Sequence, residues 1–150
     1  MVKILFVCHG NICRSPMAEF VMKDLVAKAG RTESFEIASA ATSTEEIGNP
    51  VYPPARRKLA EHGISCAGKT ARQMTRADYE AYDLLIGMDH ANLRNMTRLC
   101  GGDPAGKIHA LLDYTDRPAK WPTPGIPAIL RQLGVMCTKA VQGCCIAFYK

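Results

Sequence analysis

The chain has 150 residues, 47% of them apolar and 22% charged, which excludes a disordered polypeptide and suits one domain with one substantial core. No apolar run approaches the ~18 residues of a membrane span. A net charge of +5 without a long basic run gives nucleic-acid binding little support and favours anionic ligands.

Residues 2–7, Val-Lys-Ile-Leu-Phe-Val, read as a buried central strand of a parallel sheet. The segment Cys8-His9-Gly10-Asn11-Ile12-Cys13-Arg14-Ser15 follows directly. Ser15-Pro16 reads as a helix start, with Ser as N-cap and Pro at the first helical position. The helix then runs over 16–29, with Phe20, Val21 and Leu25 on one face and Gly30 ending it. Residues 35–38 read as a short strand. A helix is expected over 53–62, with Pro53 and Pro54 near its start and Gly63 after it. Thr75-Arg76-Ala77-Asp78 has the pattern of a capping box with Asp in place of Glu. Residues 82–88 read as a strand, 91–99 as a helix stopped by Gly101-Gly102, and 107–112 as a fourth strand. Met74, Met88 and Met96 fall on apolar faces as core residues. His62, His90 and His109 read as surface or packing residues. The alternation of strands and helices predicts an α/β three-layer architecture in one domain, residues 1–150.

The 8–15 segment carries the chemistry. A cysteine, five residues and an arginine between a strand and a helix form a loop that can hold a phosphate-like dianion. Backbone N–H groups and the helix dipole attract the anion. Arg14 adds a planar fork for two oxygens. Cys8 lies in this positive field, which favours thiolate over thiol. As the first loop of an open α/β sheet, it sits where such sheets bind ligands. His9 shapes the loop wall. Thr44-Glu45-Glu46 reads either as a rim of this site or as a solvated turn.

The segment resembles the low-molecular-weight protein tyrosine phosphatases, and the likeness continues beyond it. Ser39-Ala40-Ala41-Thr42-Ser43, Gly48-Asn49-Pro50, His62-Gly63-Ile64-Ser65 and Ala71-Arg72-Gln73-Met74-Thr75 are similar to that family. So are residues 82–89 with Asn92-Leu93, and Leu111-Leu112-Asp113-Tyr114. The resemblance runs from residue 1 to about residue 118. It implies a three-layer α/β/α fold of the flavodoxin-like, phosphotyrosine phosphatase I type, with a four-stranded parallel sheet. It implies Cys8 as nucleophile through a cysteinyl-phosphate intermediate. Arg14 would bind the phosphate and transition state, and Ser15 would hydrogen-bond the Cys8 sulfur. His9, Gly10, Asn11, Ile12 and Cys13 would form the phosphate-binding loop. Asn11 would hold the loop in a strained shape, with Ser39 supporting it. Cys13 would either form a reversible disulfide with Cys8 or pack inward as a small residue. Ile12 stands where relatives that hydrolyse phosphoarginine carry Thr, and so points to phosphotyrosine.

Substrates are then phosphotyrosine proteins or small aryl phosphates, handled by a monomer or weak dimer. No nucleic acid, membrane, cofactor or metal is expected. Seven cysteines is an odd number, so a reducing cytoplasm is the simpler setting than a paired disulfide framework. The N-terminus shows no signal-peptide pattern.

The tail departs from the family. The general acid there is an Asp followed by Pro, beyond the Leu-Leu-Asp-Tyr segment. This chain reads Pro118-Ala119-Lys120-Trp121-Pro122-Thr123-Pro124, with Thr123 in the acid's place. Threonine cannot serve as that acid at neutral pH. Asp113 and Asp116 stand ten and seven residues too early. Read one base earlier, codons for residues 120–145 can encode GKVADPWYTGDFAATW and then DVYKGC, a family-like acid loop and helix. This is the pattern of a one-base frameshift near Pro118. Two other functions compete. An arsenate reductase of similar fold would need relay cysteines near 80–90, and none lies between Cys66 and Cys100. A phosphate-binding pseudophosphatase would keep the loop and lack the acid.

Overall fold

The computed structural model describes residues 1–28 and 30–111. Its elements are β1 (Val2–Cys8), α1 (Arg14–Lys28), a 3₁₀ turn (Thr32–Ser34), β2 (Phe35–Ala41), α2 (Pro53–Glu61), α3 (Arg76–Ala81), β3 (Leu84–Gly87), α4 (His90–Cys100) and β4 (Ile108–Ala110). The four strands form one parallel sheet in the order β2-β1-β3-β4. This is the expected three-layer α/β fold.

Alternation along β1 explains the two layers of core. Ile4 and Phe6 point to one face and join Met17, Met22, Ala55 and Leu59 from α1 and α2. Leu5 and Val7 point to the other and join Tyr79, Met96 and Cys100 from α3 and α4. With both faces covered, the strand must be apolar throughout, as its sequence is. Met74 and Met96 are buried, and Met88 packs partly buried against the first cluster. His62 and His90 are exposed, and His109 is half-buried.

Three boundaries differ from the sequence reading. Helix α1 begins at Arg14, with Met17 N–H bonding the Cys13 carbonyl at 3.1 Å. Ser15 is therefore inside the first turn rather than at the N-cap, and Pro16 is the third helical residue, two places further in than expected. Pro16 costs nothing there, because first-turn N–H groups have no intrahelical partner. Strand β2 runs on to Ala41, pairing Cys8 with Ala41 in register. Strand β3 starts only at Leu84. Asp83 instead clamps Lys3, its carboxylate accepting the Lys3 N–H at 2.8 Å and its own N–H bonding the Lys3 carbonyl at 2.8 Å. The fourth strand is Ile108–Ala110; the rest of its expected span from Leu112, Asp113, Asp116, Thr123 and the whole tail lie outside the described residues.

The capping box at Thr75 is present. The Asp78 carboxylate accepts the Thr75 N–H at 2.7 Å and two Arg72 guanidinium bonds at 3.0 and 3.1 Å. Burial pushes the Asp78 carboxyl up, but the Arg72 and Thr75 hydrogen bonds outweigh it and hold it below the usual carboxylate range. A depressed folded-state value means stability that is present above the unfolded carboxyl's range and lost as pH falls through the folded one. Chemical unfolding from pH 7 to pH 3 should therefore show wild type losing its advantage over Asp78→Asn. A constant difference across that range would remove the charge from the account.

Gly87 ends β3 under α4. A Cβ there would lie 3.0 Å from both the Leu93 side chain and the Met96 sulfur. This close approach brings the N-terminus of α4, capped by Asp89, to the end of the sheet beside β1.

Candidate active site

The 8–15 loop leaves the C-terminal end of β1 and enters α1. Its shape depends on Asn11, whose φ is +58°, the one positive value at a non-glycine among the described residues. Asn tolerates that conformation better than most residues. The side chain also holds it in place. Asn11 Nδ2 donates to Ser15 Oγ at 2.8 Å and to Ser39 Oγ at 2.9 Å, and Oδ1 accepts the Arg72 N–H at 3.3 Å. Ser39, buried on β2, donates its hydroxyl to the Glu19 carboxylate on α1. Asn11, Ser15, Glu19 and Ser39 are all buried, so these bonds are formed out of water.

The loop turns its donors inward on Cys8. The Asn11 N–H reaches the Cys8 sulfur at 3.3 Å, and Ser15 Oγ lies 3.0 Å from it. Ser15 Oγ already accepts from Asn11, which leaves its proton for the sulfur or for the Ala40 carbonyl at 3.4 Å. Both groups thus aim at the sulfur from the positive end of the α1 dipole.

Arg14 occupies the first helical position. Its Nη1 donates to Asp89 Oδ2 at 2.7 Å across the end of the sheet. Asp89 also caps α4, accepting the Asn92 N–H at 2.8 Å. Burial pushes the Asp89 carboxyl up; the Arg14 guanidinium and the Asn92 N–H outweigh it and hold it below its usual range. At neutral pH Asp89 is thus an anion that orients Arg14.

The segment after β2 forms one wall. Thr42 and Ser43 N–H groups bond the Cys8 and His9 carbonyls at 2.9 and 3.0 Å, and Tyr52 N–H bonds the Ile12 carbonyl at 2.7 Å. His9 Nε2 lies 3.0 Å from Glu45 Oε2, and Glu46 packs on Gly10. Glu45 and Glu46 therefore lie against the loop, the first through His9 and the second over Gly10. Cys13 is buried in the core with Met17.

A family model described as low molecular weight phosphotyrosine protein phosphatase matches residues 3–124. The chain belongs to that family. The low molecular weight protein-tyrosine-phosphatase YfkJ of Bacillus subtilis is 40% identical over 116 residues, covering 77% of this chain and 74% of the relative. The rat low molecular weight phosphotyrosine protein phosphatase is 45% identical over 95 residues, 63% of this chain and 60% of that protein. The crystal structure of YfkJ superposes with a TM-score of 0.77 at 33% identity, covering all of this chain and 98% of that one. The family match passes Pro118, where the sequence reading placed its end, and takes in Thr123.

Of the site residues expected from the sequence, the structure joins Cys8, Asn11, Ser15 and Ser39 by hydrogen bonds, and places Arg14 in the same helical turn as Ser15, paired with Asp89. Sequence reading had missed Asp89 and Glu19. The signal for Asp89 was its place as an N-cap just past a strand end, next to β1 in the sheet.

Proposed function

We propose that this phosphatase hydrolyses phosphotyrosine monoesters in two displacements at Cys8. In the first, the Cys8 thiolate attacks phosphorus, a sulfur–phosphorus bond forms, the phosphorus–oxygen ester bond breaks, and the leaving tyrosinate takes its proton from water. In the second, water attacks phosphorus, the sulfur–phosphorus bond breaks, and inorganic phosphate departs as Cys8 recovers its electron pair. Arg14 holds the phosphoryl oxygens through both steps. Ser15 donates to the sulfur and helps it leave in the second. His9, Gly10, Asn11, Ile12 and Cys13 supply the loop around the anion, and Ile12 favours the phosphotyrosine class. The free thiols at Cys8, Cys13, Cys66 and Cys100 support a reducing, cytoplasmic setting.

The observation that carries this reading is the convergence of the Asn11 N–H and Ser15 Oγ on one sulfur, beside Arg14 in the first helical turn. Arg14→Lys tests it. Lysine keeps the charge but loses the planar fork and the geometry set by Asp89. We expect kcat/KM on aryl phosphates to fall by about 10²–10³-fold, the range for losing one aligned transition-state donor. Retention of most of the activity would remove Arg14 from the phosphoryl site.

A further inference from the structure

A cavity of about 500 Å³ lies away from the phosphate loop, between α2 and residues 63–69. Its size is that of small-molecule sites. Val51, Ile64 and Cys66 give it a buried apolar wall, and two basic residues line it, Lys69 and Arg56, whose guanidinium donates to the Val51 carbonyl at 3.4 Å. No carboxylate lines it among the described residues.

The charge balance behind the wall is uneven. The Lys69 side chain is only 14% exposed; its ammonium lies 3.5 Å from Glu19 Oε1 and donates to the Ser39 carbonyl at 3.0 Å. Glu19 also takes the Lys23 ammonium at 2.7 Å. One buried carboxylate thus serves two ammonium groups, and the cluster carries one positive charge in excess. Burial pulls the Lys69 ammonium down, and Glu19 only partly restores it. A second anion on the cavity side would complete the balance.

We propose that this cavity binds a small aromatic carboxylate, with its carboxylate on Lys69 and Arg56 and its apolar body against Val51, Ile64 and Cys66. Occupancy is coupled to the nucleophile. Lys69 holds the Ser39 carbonyl and Glu19 the Ser39 hydroxyl, Ser39 meets Asn11, and Asn11 meets Ser15 beside the Cys8 sulfur. This coupling, unlike the binding, rests on Cys8 being the nucleophile. An anion that draws Lys69 toward the cavity loosens the Ser39 end of that chain.

Indole-3-acetate is a suitable probe, with neutral indole-3-acetamide as its control, titrated calorimetrically into the full chain. Vanadate saturates the phosphate loop in one arm. We expect a Kd of about 1 mM, as ligand efficiency at this size allows. Binding should survive vanadate. Loss of the charge, by the amide or by Lys69→Met, should weaken it about fivefold, the upper range for a partly exposed ion pair. Arg56→Gln, on an exposed helix position, tests the same pairing without touching the buried cluster. Without vanadate, saturating probe should slow iodoacetamide alkylation of Cys8 about fivefold, at the low end of typical coupling. Equal binding of acid and amide, or indifference to Arg56→Gln and Lys69→Met together, overturns the site. Loss of binding with vanadate places the probe in the phosphate loop and also overturns it. Unchanged alkylation at saturation overturns the coupling.

Discussion

Cys8→Ser is expected to reduce turnover of every phosphate monoester by about 10⁴-fold or more, the scale of losing a nucleophile outright. The hydroxyl oxygen would sit near the sulfur's place, within reach of the Asn11 N–H and Ser15 Oγ. It would not be ionised there, because an alcohol is a far weaker acid than a thiol. The anion site should survive the change, since it is built from Arg14 and loop N–H groups that the substitution leaves alone. Phosphate affinity should stay within about tenfold of wild type, a change of no more than ~1.4 kcal/mol. Acid-quenched single turnovers with labelled substrate provide the direct measurement. Wild type should yield phosphorylated protein, and Cys8→Ser should yield none while still binding phosphate. Label on the Cys8→Ser protein would move the nucleophile to another side chain.

The phosphate loop was legible because its chemistry is local. Strand, cysteine, five residues, arginine and helix follow one another within fifteen positions, and the Asn11 N–H that reaches the Cys8 sulfur comes from the same segment. The misplaced N-cap at Ser15 is the instructive error. Ser-Pro at a helix start has a strong local explanation in capping. The structure starts the helix two residues earlier and turns the hydroxyl toward Cys8 instead. A tertiary use displaced the local one.

Groups further off in the chain were harder to see. Asp89 meets Arg14 across 75 positions, and only the β1–β3 pairing brings them together. Glu19 carries no signal in the sequence, because a lone Glu on a helix is usually solvated. Its burial follows from Ser39 and Lys69, which lie on β2 and on a loop of no regular structure. Strand ends were misjudged for a related reason. Apolar composition continues past the last ladder bond at β3 and stops short of it at β2, where Ser39 is spent on Asn11 and Glu19.

Leaving-group dependence should be steep. We expect the first step with phosphotyrosine to be slower than with para-nitrophenyl phosphate by about 10²–10⁴-fold, the usual contribution of general acid catalysis. Nitrophenolate departs as an anion and needs no proton. The phenolate of tyrosine, with an ordinary pKa near ~10, does need one. By count along the sequence, Thr123 is expected at the family's acid position, and a threonine has no proton to give at neutral pH. Asp89 cannot substitute, because Arg14 and the Asn92 N–H keep it ionised. Stopped-flow traces should therefore show a nitrophenolate burst at a rate that phosphotyrosine does not approach. Equal first-step rates would require a proton donor at the leaving group. Intact mass then separates the two sources of that donor. A mass matching the 150-residue sequence would place it on this chain's own residues, and a different mass would point to a protein carrying the Asp-Pro frame in place of Thr123-Pro124. If phosphate binds and neither ester reacts, the loop is a phosphate-binding module, and Cys8 serves recognition instead of catalysis.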